Sequence, residues 1–312
     1  MKRTCLGYVA LFLLTAAVGC VVLLWLLPPS FPGHETPFVA RALWALVAAL
    51  GCSLFVTVAA SVLKDTGARL RDRAKLGAQF VTTLPRDGER VVVCGPLVAD
   101  GPMLTAPFSA TPCAIYWYQV KHMSDSPNSI EVIDAWGYAL TPSRVESPWG
   151  AVRLLSYTEF DFRPSVLSDP EAKARASAYL SRTPLVPLGL GALGESIGAV
   201  KTLMADEDGS VRGDFGSCPS KLEEAKYGLY EQVVVDRDPV CAFGNYAEDR
   251  RALLPDPSSR TFFPVKIVRG TAAQVRRRLL LQAIGNACFA AVLLAIAATV
   301  VWVFFRLAPK FL

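Results

Sequence analysis

Histidine is almost missing from this sequence: His34 and His122 are the only two in 312 residues. That shortage argues against multi-histidine metal centres and against relays that pass protons between imidazoles. The eight cysteines do not compensate. Cys5, Cys20, Cys52 and Cys288 lie in or beside apolar runs, and Cys94, Cys113, Cys218 and Cys241 are scattered, with no CxxC pair and no Cys/His cluster. No metal or cofactor is therefore expected. The long apolar runs lack ionisable residues except Arg41 and Arg306 at their ends, which argues against a transporter subunit. Internal repeats and low-complexity tracts are also missing.

Apolar runs themselves are plentiful. Leu6–Leu27, Ala42–Leu63 and Leu279–Phe305 each meet the roughly 20 residues needed to cross a hydrocarbon core. The first follows "MKR", but its apolar stretch exceeds the roughly 7–15 residues of a signal peptide, so a retained anchor is expected. The predicted layout is a hairpin over 1–63 (spans 6–27 and 42–63), a soluble domain over 64–278, a third span over 279–305 and a tail over 306–312. The connector "PPSFPGHETP" has no Lys or Arg, whereas "KDTGARLRDRAK" carries five and "VRRR" three, so the positive-inside rule places the domain in the cytoplasm. There its thiols are expected to be buried or free. Ala45, Ala49 and Ser53, four residues apart, mark a small-residue face for packing the first two spans.

The net charge of +5 is modest and its basic surplus gathers beside the spans, so nucleic acid is not an expected partner. Arg69, Arg71, Arg73, Lys75, Arg276, Arg277 and Arg278 are instead candidates for anionic lipid headgroups, at about 1 kcal/mol each. Within the domain, short β-type runs recur between turn residues: "RVVVCG", "CAIYWYQV", "EVIDAWGYAL", "AVRLLSYTEFDF", "YEQVVV", "PVCAFG" and "TFFPVKIV". The expected fold is a β-rich α+β domain, an antiparallel sheet or small barrel, carried by three transmembrane helices. A helical insertion is expected over about 164–227, from "DPEAKARASAYLSR", with Asp169 as N-cap and Pro170 at N1, and from "GESIGAVKTLMADED".

The stretch "VVVCGPLVADGPMLTAPFSATPCAIYWYQV" then resembles the opening of the GIDE, or beside-a-membrane, domain of the mitochondrial ubiquitin ligase activator family. The positions that carry the resemblance are Gly95, Leu104, Pro107, Pro112, Cys113, Tyr116 and Tyr118. Two later stretches follow in the family's order, "YEQVVVDRDPVCAFGNY" with Glu231 and Gly244, and "FPVKIVRGTAAQVRRRLLLQAIG". The resemblance implies a membrane-proximal binding domain. Ligase members carry a RING domain after the last span, and none is found in this sequence, so ligase activity is not carried over. Two spans before the domain, where those ligases have one, and the 164–227 block also depart from the pattern.

Strand alternation puts Cys113, Ile115, Trp117 and Gln119 on one face and Tyr116, Tyr118 and Val120 on the other. Three readings stay open: a buried thiol with tyrosines in sheet packing, a groove lined by Tyr116 and Tyr118 for a peptide or headgroup, and a nucleophilic Cys113 using His122. "GLGALG" at 189–194 satisfies a dinucleotide-binding pattern, but no βαβ unit surrounds it. "KHMSDS" gathers His122, Ser124 and Asp125, yet adjacency alone does not arrange a triad. The function expected is a membrane-anchored binding or scaffold protein, not an enzyme, whose partners are anionic lipids and another protein. The alternative is a membrane-associated hydrolase or degenerate E3 ubiquitin ligase relative. A bacterial inner membrane is the expected location.

Overall fold

The computed structural model describes residues 12–21, 38–78, 85–124, 131–187, 209–219, 222, 227–254 and 265–311. The chain divides into two compact units, one of residues 1–74 with 277–312 and one of 75–276. Its described helices are α1 (Phe12–Val21), α2 (Phe38–Ala78), α3 (Pro170–Arg182) and α4 (Ala272–Phe311).

In the helical unit, α2 and α4 contain stretches, Leu46–Leu76 and Ala272–Val303, that are long and apolar enough to cross a membrane. The first apolar run is seen as the ten residues of α1, and its flanks lie outside the described residues. α2 runs unbroken for 41 residues, about 60 Å, through the charged stretch from Lys64 that the sequence assigns to the soluble domain. Nothing in "KDTGARLRDRAK" stops a helix: it has no proline, and its one glycine costs only about 1 kcal/mol.

α2 and α4 meet as an antiparallel pair. The Cys52 thiol donates to the Ala297 carbonyl at 3.6 Å, Ala59 packs with Ala290 and Leu293 beside Phe55 and Val62, and the Arg69 guanidinium donates to the Gln282 side chain. Cys52, Phe55, Ala59, Val62, Thr66 and Arg69 alternate three- and four-residue spacings, the seam of a helix pair. Ala49 and Ser53 are buried, and a Cβ built on Gly19 would stand 3.5 Å from that of Ala49.

The second unit joins a closed barrel to an open sheet. β1 (Arg90–Ala99), β6 (Ser143–Ser147), β7 (Gly150–Leu154), β13 (Ala252–Leu254) and β12 (Pro239–Ala247) form a ring of five, closed by pairing of β1 with β12. β14 (Val265–Arg269) pairs with β12 beside β13, and β8 (Thr158–Phe160) continues from it. Closure requires β1 to leave β12 and take up β6, and the change of partner falls at Gly95–Leu97. A Cβ on Gly95 would lie 1.7 Å from the Glu146 carbonyl oxygen, so only glycine lets the strands approach this closely.

The open sheet runs β10 (Val211–Gly216), β5 (Glu131–Leu140), β4 (Ile115–Met123), β11 (Tyr227–Val234), β9 (Ser165–Leu167), with neighbours antiparallel. Its two faces enter two cores. Ile115, Tyr138, Leu140 and Val234 pack with barrel residues, while Tyr116, Tyr118, Val120 and Ala139 pack against Ala172, Ala176 and Leu180 of α3. α3 opens as the sequence predicts, with Asp169 accepting from Ala172 N at 2.7 Å and Pro170 in the first turn.

Two expectations need correction. The 164–227 block is not a purely helical insertion, because β9 and β10 within it form both edges of the open sheet; the second predicted helix, 194–208, lies outside the described residues. Cys94 and Cys241 are not free thiols. They stand directly opposite each other on β1 and β12 and are joined as a disulfide.

Candidate functional site

Leu104, Pro107, Cys113, Tyr116, Tyr118 and Glu231 gather around the loop at Phe108. β2 (Leu104–Thr105) and β3 (Pro112–Cys113) form a two-stranded ladder whose connection turns back on itself, Ala106 N donating to Thr111 O at 2.9 Å and Ala110 taking φ 58°. Glu231, only 2 % exposed, reaches this loop from β11. Its two carboxylate oxygens accept the backbone N–H groups of Phe108 at 2.8 Å and Ser109 at 3.0 Å. From the other side, Arg175 of α3 donates to the Phe108 carbonyl at 2.7 Å. Loop donors that strand pairing cannot reach are thus satisfied by a charged acceptor.

Cys113 is fully buried beside this loop, and burial, reinforced by the Glu231 carboxylate, pushes its thiol up to about 12. Full burial leaves the reactive-cysteine reading without an exposed nucleophile. The groove reading also fails, because Tyr118 is fully buried and Tyr116 nearly so, both beneath α3. Their hydroxyls enter a polar network instead. Tyr118 and Tyr179 donate to Asp214 Oδ1 at 2.8 and 2.9 Å, Tyr116 and Tyr179 share a hydrogen bond of 3.2 Å, and Arg212 Nε donates to Asp214 Oδ2 at 3.1 Å. Burial raises the Tyr118 phenol far above its ordinary range, and the Asp214 charge adds to the effect. Gly137, opposite Tyr118 on β5, leaves room for its ring: a Cβ there would sit 2.3 Å from Tyr118 Cε1 and 2.5 Å from Asp214 Oδ1.

Leu104 packs against this same core and Pro107 is buried in the loop, whereas Pro112 is exposed. Gly95 and Gly244 lie apart from it in the barrel wall, where a Cβ on Gly244 would meet Leu253 Cβ and the Leu254 carbonyl at 3.2 Å. Sequence reasoning missed Asp214, Arg212, Tyr179, Arg175 and Gly137. The only local signal was an aspartate between glycines in "VRGDFG".

His122 has a partner on the next strand, Asp134. A bulge at Val120/Lys121 lets Asp134 approach, with Oδ2 2.7 Å from His122 Nδ1, and the Tyr227 ring lies tilted against the imidazole with centroids 5.5 Å apart. "GLGALG" and Asp125 lie outside the described residues.

The basic residues separate into two environments. In the helical unit, Arg69 is tied to Gln282, Arg71 and Arg277 are exposed, and Arg73 and Arg278 are half-buried. In the second unit, Lys75 donates to the Arg90 carbonyl at 2.6 Å, while Arg276 is exposed. Among the described residues no cluster of three or more His, Cys, Asp or Glu side chains could hold a metal ion. No protein-family model matches the chain, and no curated protein or solved structure is significantly similar to it.

Proposed function

We propose that this chain is a membrane-anchored binding or scaffold protein that presents a GIDE-like domain beside the bilayer without chemistry of its own. One observation carries the reading: Leu104, Pro107, Cys113, Tyr116, Tyr118 and Glu231 are used up in packing and in clamping the loop at Phe108, so they build a rigid platform. The reading includes three spans, with the first apolar run as the third anchor. The Lys/Arg asymmetry around the spans supports a cytoplasmic domain, and a bacterial inner membrane is the setting proposed. The Cys94–Cys241 disulfide pulls the other way, since such bonds persist in oxidising compartments.

The test is cross-linking in native membranes with two baits, the full chain and a chain keeping the helices but lacking 79–271. A protein captured by the first and lost with the second supports the reading; identical captures refute it. The hydrolase alternative has one observation in its favour, the His122–Asp134 pair, in which a carboxylate orients an imidazole. Turnover of a lipid or peptide by purified protein that vanished on His122→Ala would establish it.

A further inference from the structure

The two basic clusters stand at opposite ends of the β-rich unit in sequence, but the helix pair brings them to one height. Arg69 bonds Gln282, and α2 and α4 run antiparallel. Counting outward from that pair sets Arg71 level with Leu280 and Arg73 with Arg278. At about 1.5 Å per residue, Arg69, Arg71, Arg73, Arg277 and Arg278 fall within about 8 Å of one another along the helix axes.

We infer that these five arginines form a phosphate-binding collar that holds anionic phospholipid headgroups around the α2–α4 pair. The inference rests on the reading that these helices cross a membrane, and it names a partner for that anchor.

Three observations carry it. First, the charge is local. Residues 64–74 with 277–278 hold six Lys/Arg against two Asp/Glu, whereas 75–276 holds 21 against 24, so an anionic surface attracts the collar and not the domain. Second, apolar surface begins at the collar's edge: Leu281 and Ile284 are 58 % and 51 % exposed, and α4 stays apolar through Val303. A guanidinium ring adjoining exposed aliphatic side chains matches a phosphate above acyl chains. Third, Arg71 and Arg277 are exposed, so their guanidinium groups stand open to the surroundings of the helix pair. Guanidinium groups bind phosphate oxygens through paired donors.

The experiment uses the full chain in neutral detergent, at low and high salt, titrated with phosphatidylglycerol, phosphatidylcholine or inorganic phosphate and read by the thermal unfolding midpoint. Phosphatidylglycerol should raise the midpoint at concentrations where phosphatidylcholine does nothing, and salt should weaken the effect. The triple variant Arg71→Gln, Arg277→Gln, Arg278→Gln should lose about a hundredfold in apparent affinity at low salt, while the matching lysine triple keeps most of it. Should the glutamine triple not fold, Arg277→Gln alone should lose roughly fivefold. Equal responses to both lipids would overturn the collar. So would displacement of phosphatidylglycerol by equimolar inorganic phosphate, which would mark an ion site. Partner capture by the β-rich unit is measured separately, and its failure leaves this result untouched.

Discussion

Replacing Glu231 by glutamine tests whether the loop at Phe108 is held by charge. The carboxylate accepts two backbone N–H groups, at 2.8 and 3.0 Å, from a position 2 % exposed. Glutamine keeps one acceptor oxygen and turns an NH2 group toward a backbone N–H, so one bond is lost and two donors face each other. A hydrogen bond to a charged group contributes about 1.5–3 kcal/mol, and a buried donor left unmet costs about 1–3 kcal/mol. Glu231→Gln should therefore destabilise the β-rich unit by about 2–3 kcal/mol, and Glu231→Ala, which strands both donors and opens a cavity, by about 3–5 kcal/mol. For a unit of this size the glutamine variant should lower the unfolding midpoint by about 5–10 °C. The assay is thermal unfolding of the full chain in detergent, followed by near-ultraviolet circular dichroism, because Phe108 packs 5.0 Å from the Tyr118 ring. A midpoint within about 1 °C of the parent protein would refute the clamp, since no isosteric swap at a two-donor buried carboxylate should be silent.

Gly95→Ala should fail to close the barrel, because its methyl group meets a backbone oxygen; Gly137→Ala should cost less, since the Tyr118 ring can shift. Proteolytic resistance of the purified full chain checks both, and equal resistance would contradict the contacts. Cys113 should resist maleimide at pH 8.5 while exposed Cys218 reacts, as peptide mapping of labelled protein will show. Glu159 is raised above its usual carboxylate range chiefly by burial, with Lys266 opposing and Asp161 adding to the shift. Its stabilising contribution is therefore full below its unfolded value and lost as pH rises through the folded one, so Glu159→Gln should stabilise the protein at pH 7 and make no difference at pH 4. A cytoplasm-only reporter should be active near Gly209 and silent at Gly33. The reverse reporter pattern would place the domain outside.

Sequence alone determined the apolar helices, the β-rich class of the segment between them and the start of α3, because each depends on local composition and spacing. Residues about 20 long without charge, short strands between turns, and Asp169–Pro170 ahead of a helix all carry their own signal. The unbroken passage of α2 through Lys64–Ala78 was not legible, since charge marked the end of an apolar run while helix propensity ran on. The tertiary structure decided what the motif residues are for. Tyr118 belongs to a core because α3 covers it and Gly137 makes room, Asp214 is buried because partners 35 and 96 residues away satisfy it, and Glu231 finds its donors 122 and 123 residues upstream. The arginine collar likewise exists only once Arg69 meets Gln282. Local sequence sets which face of a strand or helix is apolar, but not which distant group will stand opposite a buried charge. That is settled by the register and packing of whole elements, where leaving the charge unpaired costs more than ordering the chain segments that meet it.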